Sequence, residues 1–128
     1  LASFKGKVVL LDFWATWCGP CIQSMPGLQK IYDGVRDQGV VVFSVNVFDA
    51  KDPFDAWIKK TAYNFTFAYD PAGRDQKTSI AASKYNVSGI PTMYVIDRTG
   101  KISAVLVGSG EEKAIEKALT DLKIKVKA

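Results

Sequence analysis

Two nearly unbroken apolar runs set the frame of this chain: KVVLLDFW, residues 7–14, and VVVFSVNVF, residues 40–48. A strand with one wet face alternates apolar and polar side chains, whereas a strand covered on both faces does not. Between the runs, Ile22, Met25, Leu28, Ile31, Tyr32 and Val35 recur at the spacing of one helical face, and Gly39 closes the segment. Strand, helix and strand of these lengths predict a βαβ unit with a right-handed crossover. One residue breaks the pattern. Asp12 stands inside the first run, where burying a lone carboxylate is unfavourable and raises its pKa. Either Asp12 is a working acid, or the strand lies open at an edge there.

Downstream, Asp52-Pro53 reads as an N-cap followed by proline at the first helical position, with Phe54, Trp57, Ile58 and Ala62 forming a short apolar face. NFTFAY, residues 64–69, predicts a short strand ended by the turn-rich DPAGRD, and residues 79–85 predict another helix. TMYVID (92–97) and ISAVLV (102–107) flank Arg98-Thr99-Gly100, the pattern of an antiparallel hairpin. Ser109 and Glu112 have capping-box spacing ahead of Ile115, Ala118, Leu119 and Leu122. Glu111 and Glu112 then sit at the positive end of that helix, and Lys123 near its negative end. No repeat, low-complexity linker or boundary interrupts the chain, so residues 1–128 are expected to form one α/β domain: a central mixed sheet with helices on both faces.

Composition removes several function classes. The chain has no histidine, which eliminates Cys-His nucleophile pairs, catalytic triads and most zinc sites. Its net charge of +4 is carried mostly by scattered lysines, with Lys113, Lys117, Lys123, Lys125 and Lys127 toward the C-terminus, read as a solvated helix face and tail. No arginine-aromatic pattern accompanies them, so no nucleic-acid partner is expected. No apolar run approaches the roughly 20 residues of a membrane-spanning helix. The chain opens at Leu1 without a signal-like stretch, as a mature or trimmed form would, which leaves room for a membrane tether upstream.

The two cysteines, Cys18 and Cys21, lie together in WATWCGPCIQS, and three readings compete for them. A structural zinc site needs four ligands, usually Cys and His, so this chain would have to share one with a partner. A purely structural disulfide would close a very short loop, which constrains little of the unfolded chain. A redox couple fits better. Pro20 suits the first turn of the helix carrying Ile22 and Met25, which places Cys18 at or just before its N-terminus and Cys21 within the first turn. Residues three apart on a helix lie roughly 5–6 Å from one another, a separation a disulfide accepts. The helix N-terminus also favours the Cys18 thiolate; lowering a thiol pKa from ~8.5 to ~7 raises its ionised share at pH 7 from about 3% to about half.

LLDFWATWCGPC followed by Pro26 resembles the active-site strand and helix of the thioredoxin superfamily, and VSGIPTMYVID (87–97) resembles its cis-proline loop and the strand after it. The order of the two motifs, with a hairpin after Pro91, extends the likeness over nearly the whole chain. The resemblance implies a thioredoxin-like fold and a thiol-disulfide oxidoreductase whose redox couple is Cys18 and Cys21, with no other cofactor and no metal. It implies that Cys18 attacks a substrate disulfide and that Cys21 resolves the mixed disulfide, after which a separate electron-donor protein restores the dithiol. It makes the Ile90-Pro91 bond cis, and makes Trp17, Gly19, Pro20, Ile90, Pro91 and Thr92 the surface that meets a protein disulfide substrate. Ordinary packing is the competing account of Trp17. Asp12 matches the aspartate of thioredoxins proper and becomes the proton acceptor for Cys21. Thioredoxins tend to set a lysine beside that acid; here Ser44 stands near the expected position.

An extra helix and strand after the second strand, together with FWATWCGPC and IDRTGKI, are similar to the TlpA/ResA-like branch, which is related to the AhpC/TSA group. That likeness favours an extracytoplasmic, periplasmic or membrane-tethered protein over a cytoplasmic one, and a monomer. LASFKGK matches only the end of that branch's N-terminal hairpin, which is expected to be truncated here. Asp12 departs from the uncharged residue of many members, and the segment around Pro91 lacks the Gly-Ala-Pro-Glu pattern of dedicated cytochrome c maturation proteins. Related couples span about −270 to −120 mV, and Gly-Pro between the cysteines resembles the reducing members, so a reductase is expected. The alternatives are a non-enzymatic interaction module on the same fold and a thiol peroxidase. The intact cysteine pair argues against the first, and a CxxC partner is foreign to the usual peroxidatic motif.

Overall fold

In the computed structural model, which describes residues 6–47, 49–61, 63, 65–70, 90–108 and 112–126, the two apolar runs form neighbouring parallel strands. These are β1 (Val8–Trp14) and β2 (Val40–Asn46), in register from Val8 opposite Val40 to Trp14 opposite Asn46. Helix α1 (Gly19–Val35) crosses between them. Every residue of β1 is buried, as its unbroken apolar pattern requires. Successive side chains leave it on opposite faces. Val8, Leu10 and Trp14 join Met25, Leu28 and Ile31 of α1 in one cluster, and Val9, Leu11 and Phe13 join Val45, Tyr94 and Ile96 in the other. Fully burying a side chain such as Leu10 or Phe13 contributes roughly 1.5–3 kcal/mol, which fixes the register against a one-residue slip.

The expected extra helix and strand follow β2. They are α2 (Lys51–Lys60) and β3 (Thr66–Tyr69), the latter parallel to β2. Strands β4 (Thr92–Ile96) and β5 (Ile102–Val107) make the antiparallel hairpin, and β4 also runs antiparallel to β1. The hairpin turn is held by Asp97 Oδ1, which accepts from Thr99 N at 2.9 Å, Thr99 Oγ1 at 2.6 Å and Lys101 N at 3.0 Å. The sheet order is β3-β2-β1-β4-β5, so β1 is central. Helix α3 (Glu112–Asp121) follows the hairpin and buries Ile115, Ala118 and Leu119 against α1's side of the sheet. Among the described residues, no helix is long and apolar enough to cross a membrane.

One expectation is corrected. Asp52 is not the N-cap of α2: the helix starts at Lys51, and its cap, Ala50, makes no side-chain hydrogen bond. Asp52 lies in the first turn, where its charge complements the helix dipole without capping. The helix predicted at 79–85 and the capping residue Ser109 lie outside the described residues, as does most of the DPAGRD turn.

Candidate active site

Where β1 ends, the chain makes one tight turn and enters α1. Cys18 N donates to Ala15 O at 3.1 Å, closing that turn. Cys18 is the N-cap of α1, and Pro20 falls at the start of the helix, where its missing N–H costs nothing. Cys18 and Cys21 are joined as a disulfide with their Cα atoms 5.3 Å apart, inside the range that helical spacing predicts. The two sulfurs are not equivalent. Cys18 retains 5% exposure and Cys21 only 1%, and Cys21 N donates to Cys18 Sγ at 3.2 Å. A helix N-terminus that aims an N–H at one sulfur stabilises negative charge there when the bond opens. Gly19 and Pro20 are exposed between the cysteines, and a Cβ added at Gly19 would meet open space. Trp17, beside Cys18, is 58% exposed.

The neighbouring strand brings the second motif to the same end of the sheet. Thr92 lies opposite Phe13 in the β1–β4 register, which sets Pro91 beside the exit of β1. The Ile90-Pro91 bond is cis, as the resemblance implies. Pro91 O accepts from Gly108 N at 2.8 Å, Thr92 is buried, and Ile90 is half-buried.

Asp12 sits between Ser44 of β2 and Met93 of β4, on the central strand and 7% exposed. The open-edge account of this residue is thereby removed. Its carboxylate accepts one long bond, 3.3 Å from Ser44 Oγ. Burial pushes its pKa up to about 7, and the Ser44 bond offsets only part of that. Asp12 also lines a cavity of about 30 Å³ with Ser24, Pro91 and Glu112. An acid that titrates near neutrality is matched to proton transfer at physiological pH.

Sequence reasoning missed Asp49, in the connection between β2 and α2. It is 1% exposed and accepts from Thr16 N at 2.7 Å, Thr16 Oγ1 at 2.8 Å, Asn46 Nδ2 at 3.1 Å and Ala50 N at 2.9 Å. Burial pushes this carboxyl up, but the donors from Thr16, Asn46 and Ala50 outweigh it and hold the pKa below the usual carboxylate range. Asp49 thus ties the turn that presents Trp17 and Cys18 to the segment entering α2. The same extra helix and strand clasp Trp14, whose ring centroid lies 4.5 Å from that of Trp57 and 6.0 Å from that of Phe67. Nothing in the sequence signals this link, because Thr16 lies 33 residues away. Glu112, which the sequence places in a capping box and at the positive end of its helix, also lines the cavity beside Asp12. Among the described residues, no cluster of three or more His, Cys, Asp or Glu could hold a metal ion.

Comparison with known proteins supplies the context for this site. The profile of the Redoxin family matches residues 1–122. The thiol-disulfide oxidoreductase ResA of Geobacillus kaustophilus is 32% identical over 123 residues, 96% of this chain and 67% of that protein. The ResA of Bacillus subtilis is 35% identical over 115 residues, 90% of this chain and 61% of that protein. Among solved structures, a Chlorobium tepidum protein provisionally assigned as thiol:disulfide interchange protein DsbE superposes with a TM-score of 0.83 at 32% identity. That match covers 94% of this chain and 83% of the other.

Proposed function

The chain belongs to the Redoxin family and is a thiol-disulfide oxidoreductase of the ResA and DsbE type; from that premise we propose that it reduces protein disulfides through a mixed disulfide on Cys18. The observation that carries this reading is the inequality of the two sulfurs: Cys18 keeps 5% exposure at the helix N-terminus and receives the Cys21 N–H, whereas Cys21 is shut in at 1%.

In the forward reaction the Cys18 thiolate attacks one sulfur of a substrate disulfide. A Cys18–substrate bond forms, the substrate S–S bond breaks, and the departing substrate thiolate takes a proton from solvent. Cys21 then resolves the intermediate. Asp12, ionised, accepts the Cys21 proton, and the new thiolate attacks Cys18 Sγ. The Cys18–Cys21 disulfide forms, and the second substrate thiolate leaves. Two electrons have passed to the substrate, so an electron-donor protein must reduce the couple before another cycle. No metal or organic cofactor enters any step.

Trp17 and the cis-Pro91 loop, with exposed Gly19 and Pro20 between the cysteines, form the surface for an extended protein segment. Ile90 and Thr92 flank the proline and fix its approach. The Gly-Pro pair supports the reducing direction. The extra helix and strand, similar to the TlpA/ResA-like branch, support an extracytoplasmic setting.

The test is reduction of a model protein disulfide by the wild type and by Cys18→Ser, with a measured reduction potential. Turnover lost in the variant and a potential near that of the reducing couples, about −270 mV, are expected. Equal inertness of both proteins would remove the enzymatic reading, and a potential near about −120 mV would reverse the direction.

A further inference from the structure

Next to the cysteines, α1 and the segment running from α2 toward β3 border an open groove of about 480 Å³ that the reaction above does not use. Its apolar walls are Ile22, Trp57 and Tyr63, and Lys60 and Thr61 supply its polar groups. Concave apolar walls with a few placed polar groups, enclosing roughly 300–1,000 Å³, are the common form of a binding cleft.

The groove starts one helical turn from the attacking sulfur. Ile22 N donates to Cys18 O at 3.1 Å, so Ile22 stands about 5.4 Å further along the axis of α1. Trp57 and Tyr63 stack on each other, with ring centroids 6.3 Å apart and planes 25° apart, and the Trp57 centroid lies 4.5 Å from that of buried Trp14. This wall is therefore held in place before anything binds, which lowers the cost of ordering on association. Ile22, Trp57 and Tyr63 all remain half-buried, so part of each is left to be covered. The charge beside them is uncommitted. Lys51 and Lys117 each pair with an aspartate one turn away, whereas exposed Lys60 has no ion pair among the described residues. No carboxylate lines the groove among those residues either. An unpaired cation beside an aromatic wall favours a ligand with an apolar body and a negative charge next to it.

We propose that this groove is a docking subsite for the protein disulfide substrate. It takes a large apolar side chain, and Lys60 pairs with an Asp or Glu next to that side chain, both on the segment whose cysteine Cys18 engages. The inference rests on Cys18 being the attacking sulfur, as above. An extended segment advances about 3.3 Å per residue, which puts the apolar anchor roughly two to four residues from that cysteine. The subsite touches no reacting atom and acts through binding alone. It gives the protein a preference among disulfides that the cysteine pair by itself does not provide.

The test uses short cyclic peptides closed by one disulfide, reduced in single-turnover assays by the pre-reduced protein. Each carries Phe or Ala followed by Glu or Lys, about three residues outside the ring, ahead of the first cysteine in one set and after the second in another. In one of the sets the Phe-Glu peptide is expected to half-saturate at about thirtyfold lower concentration than Ala-Lys, about tenfold from Phe and about threefold from Glu, at the same limiting rate. Lys60→Glu reverses the charge preference, so that Phe-Lys half-saturates about threefold below Phe-Glu. A readout independent of turnover is the Phe-Glu peptide with serine in place of cysteine, added to the oxidised protein: it moves the Ile22, Thr61 and Tyr63 resonances. Equal half-saturation of all peptides in both sets would overturn the subsite, and so would a charge preference that survives Lys60→Glu. Movement of the same resonances with protein concentration alone would overturn it too, by giving the groove to a second copy of the chain. If no peptide were reduced while the serine peptide still moved those resonances, the oxidoreductase reading would be the part that failed, and the substrate role of the groove would go with it.

Discussion

Asp12, on the strand that leads to the cysteines, and Asp49, bonded to Thr16 in the turn before them, are both closed off from solvent, yet their surroundings drive them in opposite directions. Asp12 accepts one 3.3 Å bond from Ser44 and rises to a pKa of about 7. Asp49 accepts four bonds of 2.7–3.1 Å and is held below the usual carboxylate range. Burial alone therefore does not decide what a buried aspartate becomes. The supply of N–H and O–H donors does. With many donors the carboxylate is a permanent anion that anchors a turn; with few it changes protonation near neutrality and is free to do chemistry.

The comparison breaks most visibly at Asp49. Asp49→Ala orphans the Thr16, Asn46 and Ala50 donors and is expected to cost about 5 kcal/mol by denaturant unfolding. A cost below about 1 kcal/mol would mean that water replaces the anchor.

Asp12→Asn has the opposite sign. The folded-state pKa is raised, so the wild type carries no penalty at pH values below the ordinary 3.8 and loses stability as pH climbs from there through about 7. The Asn variant avoids that loss and gains up to about 4 kcal/mol over the wild type by pH 8, with the gap closing near pH 4. For Asp49→Asn the linkage runs the other way. The lowered pKa gives a contribution present above 3.8 and lost as pH falls below it. This variant is therefore weakest relative to the wild type at neutral pH, and the deficit shrinks in acid. Parallel pH–stability curves for the two Asn variants would erase the distinction.

The smallest effect belongs to Ser44→Ala. Removing the hydroxyl that lowers the Asp12 pKa raises it further, by about half a unit to one unit, as followed by the carboxyl carbon resonance of Asp12.

Much of this architecture was legible in the chain. Unbroken apolar runs announced strands buried on both faces, and the 3.6-residue spacing of Met25, Leu28 and Ile31 announced α1. Asp12 stood out because a charge interrupted such a run. Asp49 did not stand out. An acid between a strand and a helix is ordinary in sequence, and its partner Thr16 is close only after β1 and β2 have paired. Asp52 misled for a related reason: Asp-Pro resembles a cap, but Asp49 already receives the Ala50 N–H, and the helix begins one residue before Asp52. Glu112 was legible as a first-turn acid. Its second setting, against Gly27 and the cavity, depends on how α3 packs on α1.

The central claim is that Asp12 is the base for the Cys21 proton. Rapid-quench measurement of mixed-disulfide resolution between pH 5 and 9, in the wild type and in Asp12→Asn, tests it most directly. The account predicts a wild-type rate that rises through a midpoint near 7, in step with Asp12 ionisation. In the Asn variant resolution is slowed at least about tenfold at pH 7, and its midpoint moves up to that of the unassisted thiol, about 8.5 or higher. Superimposable profiles for the two proteins would contradict it.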